Sequence, residues 1–379
     1  MEIEQLTLEH DALATADFTA LHRLDPHLVL VFAAVEVFAD PQFAPTLARS
    51  FPRARRIGCS TAGEISDEGV SDATAVVTAI RLDTPNFRAA CAPLASMERS
   101  DEAGVELAAQ LDGPDLRSVL ILGQGVQING SALIDGITRR LGREVVLTGG
   151  LAGDAGAFKR TWTLFDDAVS TSNIVGIGFY GDAIKMAHGS FGGWQPFGPA
   201  RKVTRARGNV LHELDGEPAL EIYKRYLGQY AKDLPGSGLL FPFAMLGDDH
   251  NEVGLIRTIL GVDEASRSLI LAGDIVENGY LRLMHASTNS LISGAEAAAH
   301  AARDMFRSAR PGLAILVSCV GRKLVMGGRV DEEVEAVANV FGSGATITGF
   351  YSNGEISPYV ASTSCELHNQ TMTITYLYE

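Results

Sequence analysis

The chain has 379 residues, 46% hydrophobic and 20% charged, a composition typical of a globular protein with a sizeable core. Its formal net charge of −15 argues against nucleic acid and anionic membrane surfaces as partners, because both repel an acidic protein. Four cysteines without a CxxC pair argue against a structural zinc site and predict a reduced protein. The acidic N-terminus is unlike a signal peptide, and the longest apolar run, LVLVFAAVEVF, is too short for a membrane span, so we expect a cytoplasmic protein.

Short Val/Ile/Leu runs alternate with amphipathic stretches, which predicts an α/β fold with mixed sheets. The predicted strands of the first half are LVLVFAA, RRIGCST, TAVVTAIRL, SVLILGQ, EVVLTGG, RTWTLF, NIVGIGFYG and AIKMAHGSF. Its predicted helices are PQFAPTLARSF, DEAGVELAAQL and SALIDGITRRLG. The polar, basic stretch 199–208 predicts a division into two domains, 1–200 and 201–379.

The second half is predicted to begin with a helix and an antiparallel set of strands, and to end with a βαβ-like pattern. The predicted helices are EPALEIYKRYLG, SLISGAEAAAHAARDMF and DEEVEAVANVF. The predicted strands are EVGLIRTILGVD, SRSLILAGDI, YLRLMHA and LAILVSCV, followed by two closing strands.

One motif occurs twice. Residues 58–66 read GCSTAGEIS and residues 349–357 read GFYSNGEIS, with five of nine positions identical. Both copies lie in the order strand, helix, strand, motif, strand, which indicates a duplicated unit. VVLTGGLAGDA is a weaker third copy that places Gly153-Asp154 at Gly63-Glu64, although chance resemblance in a glycine-rich chain is the alternative.

Cys59 in the first copy has two interpretations. It is a nucleophile at a strand-to-helix turn, or a small buried residue. The neighbouring sequence has no histidine and lacks the G-x-S-x-G spacing, and the second copy has Phe350 at this position. We therefore favour the buried residue and keep a Cys59-dependent hydrolase as the weaker alternative.

The two copies share glycine, a hydroxyl, glycine and glutamate. Glycines at a strand end let backbone N–H groups converge on a ligand, and a hydroxyl and a carboxylate can hold an amine or hydroxyl group. These residues are therefore candidate ligand contacts: Thr61, Gly63, Glu64, Ser352 and Glu355. Equally well supported is a structural role in which the glutamates accept hydrogen bonds from their own loops.

Other segments carry less specific signals. LGQGVQING lacks the spacing of a phosphate loop, but Gly123, Gln124, Gly125 and Asn129 suit a generic small-ligand loop. Arg322, in SCVGR, is a candidate carboxylate clamp or, equally well supported, forms a surface salt bridge to the acids of DEEVE.

Two further residues, Arg257 and His188, are candidate binding groups. Arg257 lies on an apolar predicted strand, where it is either a ligand clamp or the partner of a buried acid. His188 opens HGSFGGWQPFGP, in which Phe191, Trp194 and Phe197 could cover a porphyrin while the imidazole ligates its iron. An ordinary hydrogen-bonded histidine is the alternative, and His285 is the next candidate.

Together these segments resemble the FIST family of bacterial sensory modules. GCSTAGEI, TGGLAGD and HGSFGGWQPFG resemble its N-terminal region, and SCVGR and GFYSNGEISP its C-terminal region. The resemblance implies intracellular sensing of small ligands, generally thought to be amino acids, and signalling through a separate partner since no output domain is fused. It also implies similarity to stand-alone FIST proteins that bind haem, respond to nitric oxide and regulate a histidine kinase, in which His188 would be the iron ligand.

Two functional hypotheses follow, both without catalytic activity. In the first, haem on His188 senses nitric oxide and changes the surface offered to a histidine kinase or other signalling protein. In the second, an amino acid binds without haem, its carboxylate on an arginine and its ammonium on a glutamate. We expect Glu64, Asp154, Arg322 and Glu355 to line one site; the sequence leaves the ligand, homo-oligomerisation and the sign of the effect open.

Overall fold

Three stretches of the chain fold into the same arrangement, a parallel strand pair flanked by antiparallel strands. The computed structural model describes residues 1–306, 310–358 and 365–379. The first unit contains β1 (Glu2–Glu9), α1 (Thr19–Arg23), β2 (Leu28–Ala33), α2 (Val35–Ala39), α3 (Phe43–Ser50), β3 (Arg55–Ser60), β4 (Glu64–Ser66), β5 (Gly69–Ser71) and β6 (Thr74–Arg81). The second contains β7 (Phe87–Pro93), α4 (Ser100–Leu111), β8 (Leu116–Gly123), α5 (Gly130–Leu141), β9 (Val146–Leu151), β10 (Thr163–Phe165), β11 (Ala168–Ser170) and β12 (Asn173–Tyr180).

The third unit is interrupted by an additional domain. It begins with β13 (Lys185–Phe191). The inserted domain, residues 195–285, contains β14 (Gln195–Pro196), β15 (Arg201–Arg207), β16 (Val210–Leu214), β17 (Glu217–Pro218), α6 (Ala219–Leu227), β18 (Phe243–Leu246), β19 (Glu252–Arg257), β20 (Ile259–Asp263), β21 (Ser268–Leu271) and β22 (Tyr280–His285). The unit resumes with α7 (Thr288–Asp304), β23 (Gly312–Cys319), α8 (Val320–Met326), α9 (Asp331–Phe341), β24 (Ala345–Ser352), β25 (Gly354–Pro358), β26 (Cys365–His368) and β27 (Met372–Tyr378).

Each unit forms the body of a six-stranded sheet and completes the sheet of another unit. The three sheets have the orders β1-β6-β2-β3-β10-β11, β7-β12-β8-β9-β25-β26 and β13-β27-β23-β24-β4-β5. The last two strands of each order form a hairpin that comes from a different unit. The exchange is cyclic: the second unit extends the first sheet, the third extends the second, and the first extends the third. This arrangement confirms the predicted α/β class and the duplicated unit, and it shows that the third copy is real.

The inner faces of the three sheets enclose one apolar core. Leu30 and Phe32 of the first sheet, Leu120 of the second, and Val317 and Phe350 of the third belong to it. Helices cover the outer faces: α2 and α3 on the first sheet, α4 and α5 on the second, α7 and α9 on the third. Because the central strands are buried on both faces, they read as continuous apolar runs in the sequence.

The inserted domain has its own sheet and core. Its strands form the order β19-β18-β22-β15-β16-β21-β20, and α6 packs on that sheet. Residues 199–208, where the sequence predicts a domain division, contain the strand β15. In the described ranges, no helix combines the length and apolarity needed to cross a bilayer.

The glycine that opens each motif copy permits close backbone packing. A Cβ atom added at Gly58, Gly149 or Gly349 would lie about 2 Å from a carbonyl oxygen of the adjacent parallel strand, specifically at 2.0, 1.9 and 1.9 Å. Gly149 also has a φ of +132°, which L side chains rarely adopt. The recurring glycine is thus explained by the fold itself.

Three hydrogen bonds join the three units in a ring where the motifs meet. They run from Ala62 N to Tyr351 O (2.8 Å), from Gly153 N to Ser60 O (2.8 Å), and from Asn353 N to Leu151 O (3.1 Å). Their pattern makes Gly153 equivalent to Ala62, so Gly153-Asp154 lies one residue earlier than the sequence comparison with Gly63-Glu64 places it.

Candidate functional site

Glu64 connects its own loop to the strand that follows. Its Oε1 accepts a short hydrogen bond from the Thr61 hydroxyl, and its Oε2 accepts from the Thr74 backbone N–H (3.0 Å) and hydroxyl (2.7 Å). Burial raises the pKa of the Glu64 carboxyl, and these hydrogen bonds oppose that change. Both carboxyl oxygens are therefore engaged in holding the loop.

Glu355 repeats this arrangement in the third unit. Its Oε1 accepts from the Ser352 hydroxyl (2.6 Å), and its Oε2 accepts from the Thr371 backbone N–H (3.1 Å) and hydroxyl (3.0 Å). Complete burial raises the pKa of Glu355 to about 7. The hydroxyl and glutamate shared by the two motif copies therefore have the same structural contacts.

Asp154 organises the equivalent loop of the second unit differently. Its Oδ1 accepts from the backbone N–H of Phe158 (2.9 Å), and its Oδ2 accepts from those of Lys159 (2.6 Å) and Arg160 (3.0 Å). The carboxylate thus folds the chain back on itself, and both basic side chains that follow are exposed.

Arg322 is completely buried in α8. It pairs with Glu333, from Nη2 to Oε2 at 2.7 Å and from Nε to the same oxygen at 3.2 Å. It also donates to the backbone oxygens of Gly192, at a short distance, and Leu291, at 2.9 Å. Gly192 precedes the inserted domain and Leu291 follows it, so Arg322 fixes both connections of that domain.

Cys59 lies in the core enclosed by the three sheets. It is fully buried next to the stacked rings of Phe32 and Phe350, whose centroids are 4.8 Å apart. Burial raises the pKa of the Cys59 thiol and so disfavours the nucleophilic thiolate. This placement favours the packing role over the hydrolase.

Two further predicted candidates have backbone partners. Gln124 donates to the carbonyl oxygens of Ser170 (3.2 Å) and Asn173 (3.1 Å), so it joins neighbouring loops of the second unit. Arg257 is buried and donates to the carbonyl oxygens of Asp274 (3.2 Å) and Leu367 (3.2 Å). Burial lowers the pKa of Arg257. Arg257 therefore joins the inserted domain to β26.

A cleft of about 460 Å³ opens at the carboxyl ends of β2 and β3. The volume lies within the range of about 300–1,000 Å³ typical of small-molecule sites. Charged residues of both signs line this charged cleft: Glu36, Glu64, Asp72, Asp154, Lys159 and Arg160. Of the predicted ligand contacts, Thr61, Gly63, Glu64 and Asp154 line it, whereas Arg322, Ser352 and Glu355 do not.

Lys323 connects the charged cleft with α8. Its Nζ donates to the Ala62 carbonyl oxygen (2.9 Å) and pairs closely with Asp72. It also lies 5.3 Å from the centroid of the Tyr351 ring. Ala62 and Asp72 line the charged cleft, so both contacts of this ammonium group lie at the cleft wall.

Family comparisons agree with this architecture. The FIST N domain model matches residues 27–217, and the FIST C domain model matches residues 219–358. The chain is a FIST protein. FIST domains indicate small-molecule sensing and signalling, and the predicted family is confirmed.

Relatives of this FIST protein are uncharacterized. A Methanocaldococcus jannaschii protein is 26% identical over 242 residues, which cover 59% of this chain and 44% of that protein. A Mycobacterium tuberculosis protein is 29% identical over 228 residues, which cover 56% of this chain and 55% of that protein. The chain therefore spans about half the length of these relatives. A solved cyanuric acid hydrolase from A. caulinodans has a TM-score of 0.38 and 8% identity, with 99% of this chain and 98% of that chain covered.

His188 of this FIST protein lies inside β13, opposite Thr375 of β27. Only 4% of its surface is exposed, and burial lowers the pKa of its imidazole. Its backbone N–H donates to the Met305 sulfur at 3.3 Å. A porphyrin on this imidazole would have to displace parts of a paired strand.

Phe191 and Trp194, which were predicted to cover a porphyrin, do not share a cavity with His188. Phe191 is 44% exposed, whereas Trp194 is buried and donates from Nε1 to the Gln370 carbonyl oxygen at 2.7 Å. Both line a cavity of about 140 Å³ that His188 does not line, and this volume is below the usual range for ligand sites. As packed here, the three residues do not fit a haem.

The exposed charges of the cleft are the residues that the motif comparison does not find. All four lie outside the repeated letters, Glu36 in α2 and Asp72, Lys159 and Arg160 in loops. The sequence contains one feature that could have identified Lys159 and Arg160. Lys159 and Arg160 are adjacent cations that follow the third motif copy in an otherwise acidic chain.

Proposed function

We propose that this FIST protein is a non-catalytic sensor that binds a small zwitterionic molecule, an amino acid being the simplest, in the charged cleft. The observation that carries the proposal is the presence of exposed charges of both signs in one cleft of suitable volume. Lys159 and Arg160 offer donors for a carboxylate, and Glu36 and Asp72 offer acceptors for an ammonium group. Arg160 thus takes the role that the sequence suggested for Arg322.

The cations are available for a ligand. Across the described parts of the chain, neither Lys159 nor Arg160 forms an ion pair through its side chain. Both side chains are exposed, whereas Arg322 is completely occupied by Glu333 and two carbonyl oxygens. Of these three basic residues, all within the described parts of the chain, Lys159 and Arg160 can therefore receive a ligand carboxylate and Arg322 cannot.

Binding would be communicated through α8. A ligand ammonium competes with Lys323 for Asp72 and for the Ala62 carbonyl oxygen. The preceding residue, Arg322, donates hydrogen bonds to both segments that connect the inserted domain to the body. A displacement of Lys323 therefore changes the position of that domain. We propose that the inserted domain presents the changed surface to a separate signalling protein, such as a histidine kinase.

The haem-based nitric oxide sensor remains a prediction from the family resemblance. It requires β13 to leave its place beside β27 so that the His188 imidazole becomes accessible. An absorption spectrum of protein produced with haem supplied tests it directly. A Soret band that shifts with nitric oxide and disappears in His188→Ala supports haem sensing, and a protein without such a band contradicts it.

Thermal unfolding in the presence of the common amino acids tests the charged cleft. A ligand at one hundred times its Kd stabilises the folded protein by about 2.7 kcal/mol, which is readily seen as a rise in Tm. Arg160→Ala should weaken binding roughly tenfold or more, because a hydrogen bond between charged groups contributes about 1.5–3 kcal/mol. Arg143→Ala, which removes an exposed arginine outside the cleft, is the matched control.

Two results contradict the proposal. One is a Tm that no amino acid raises, measured with protein that unfolds cooperatively. The other is a ligand whose affinity falls equally in Arg160→Ala and Arg143→Ala, since the cleft would then have no special role.

A further inference from the structure

A further cavity lies between the three-sheet body and the inserted domain. It measures about 90 Å³ and shares no lining residue with the charged cleft. A cavity needs on the order of 15 Å³ to hold one water, so this one accommodates roughly six water-sized positions. Its floor contains Gly125, Gly130 and Asn353, and its roof contains Asn209 and residues 271–274. We name it the amide cavity for the reasons that follow.

The N-terminus of α5 supplies donors to the amide cavity. Asn129 caps this 12-residue helix, and its Oδ1 accepts from Ala132 N at 3.1 Å. The amides of Gly130 and Ser131 have no acceptor in residues 1–306, 310–358 and 365–379. Gly130 lines the cavity, so an uncapped N–H at the positive end of the helix dipole is available there.

Asn353 supplies an acceptor to the same cavity. It is 9% exposed, and its Nδ2 donates to the Gly125 carbonyl oxygen at 3.2 Å, which fixes the orientation of the amide. Its Oδ1 is buried and accepts no hydrogen bond from the described residues. A buried acceptor without a partner is unfavourable, so a ligand that donates to it is stabilised.

We propose that the amide cavity binds a short neutral carboxamide. The carboxamide oxygen accepts from Gly130 N–H, and its NH₂ group donates to Asn353 Oδ1. A carboxylate would place an acceptor against the Asn353 oxygen, which is itself an acceptor, and an ammonium would face the positive helix end. Leu151, Leu271 and Leu367 line the remaining wall and accommodate a short alkyl chain.

A ligand in the amide cavity contacts two parts of the molecule at once. Gly130 and Asn353 belong to the three-sheet body, whereas Asn209 and Asp274 belong to the inserted domain. Binding therefore stabilises the position of the inserted domain relative to the body. This effect is separate from any ligand in the charged cleft, because the two sites have no residue in common.

Propionamide, propionate and propylammonium are the probes, titrated into the full chain at constant ionic strength and followed by saturation-transfer NMR. We expect propionamide to bind with a Kd on the order of 1 mM, as for a ligand of so few atoms. The two ions should bind at least about tenfold more weakly, since each faces a group of like charge or an unmatched donor or acceptor.

Gly130→Ala is the principal variant. Its Cβ would lie 2.8 and 2.9 Å from the two terminal methyl groups of Leu367, a residue of the cavity wall that must therefore shift. We expect propionamide affinity to fall about tenfold, a loss comparable to one hydrogen bond. Gly344→Ala, whose Cβ would meet no atom closer than 3.9 Å, is the matched control. Asn353→Leu, which removes the acceptor, should also lower the affinity.

Ions that bind as well as propionamide would overturn the assigned ligand class. Propionamide affinity that is the same in Gly130→Ala and in Gly344→Ala would place the binding elsewhere and overturn the site. Should Asn353→Leu fail to fold, the comparison of the two glycine variants decides the outcome alone.

Discussion

Glu355 makes the stability of the protein depend on pH in an unusual direction. Its pKa is raised from 4.5 to about 7 because the carboxyl is completely buried. Between these two values the unfolded chain has lost its proton while the folded chain retains it. The free energy of unfolding therefore falls as the pH rises from about 4.5 to about 7, and this contribution is fully present only below pH 4.5.

The size of the effect follows from the interval between the two pKa values. Each pH unit in that interval costs about 1.4 kcal/mol, so the whole interval costs about 3 kcal/mol. Glu355→Gln keeps the shape and does not titrate; its one oxygen can accept from Thr371, while its NH₂ group can donate to the Ser352 hydroxyl oxygen. Relative to the unchanged protein, this variant should thus gain about 3 kcal/mol as the pH rises through the interval.

Urea unfolding between pH 5 and 8 at constant ionic strength measures this difference. His368, which faces Glu355 across β25 and β26, is an internal control of opposite sign. Burial lowers the pKa of His368 from 6.5 to about 4, so its contribution is present above pH 6.5 and is lost as the pH falls towards 4. His368→Asn should therefore lose stability, relative to the unchanged protein, as the pH rises.

A constant difference between Glu355→Gln and the unchanged protein across the pH range would refute this reasoning. It would mean that the buried carboxyl is ionised throughout and that its hydrogen bonds outweigh desolvation. Glu64→Gln is the matched substitution in the first unit. It should show a change in the same direction, because burial also raises the pKa of Glu64.

Three further predictions concern packing and reactivity. Arg322→Met should destabilise the protein by about 3–5 kcal/mol in urea unfolding, because it leaves a buried charge unpaired, and adding Glu333→Leu should recover much of the loss. Gly149→Ala should cost more than about 3 kcal/mol or prevent folding, whereas Gly142→Ala, with a φ of +84° and no atom within 4 Å, should cost only its backbone strain of about 1–3 kcal/mol; equal costs would contradict the close-packing explanation. Cys59 should resist thiol reagents at pH 8 until urea unfolds the chain, as mass spectrometry of labelled peptides would show, and rapid native labelling would contradict its burial.

The sequence predicted the fold best where a pattern recurs. The buried strands and the amphipathic helices agree with their predictions because continuous apolar runs and 3.6-residue periodicity leave few alternatives. The exchanged hairpins were not predicted. β4 and β5 have only three residues each, and their partners are distant in the sequence, so no local pattern identifies their sheet.

The candidate site was predicted only in part. Glu64 was predicted either to contact a ligand or to hold its loop; it lines the charged cleft, and both its oxygens accept hydrogen bonds, from Thr61 and from Thr74. Arg322 was predicted to be a ligand clamp or the surface partner of an acid in residues 331–335; it pairs with Glu333 of that segment, but both side chains are buried. The motif comparison did not identify Lys159 and Arg160, because they lie in a loop that the repeats do not share.

The cyclic exchange of hairpins means that the regions matched by the two family models are not independent folding units. A fragment that ends near residue 200 would leave the hairpin β4–β5 without its sheet and the edge of β9 uncovered. It would expose both to other chains, and an uncovered strand edge invites aggregation. We therefore expect the three units to evolve together. A mutation in one hairpin alters the sheet of a neighbouring unit first, and compensating changes should be sought in that sheet.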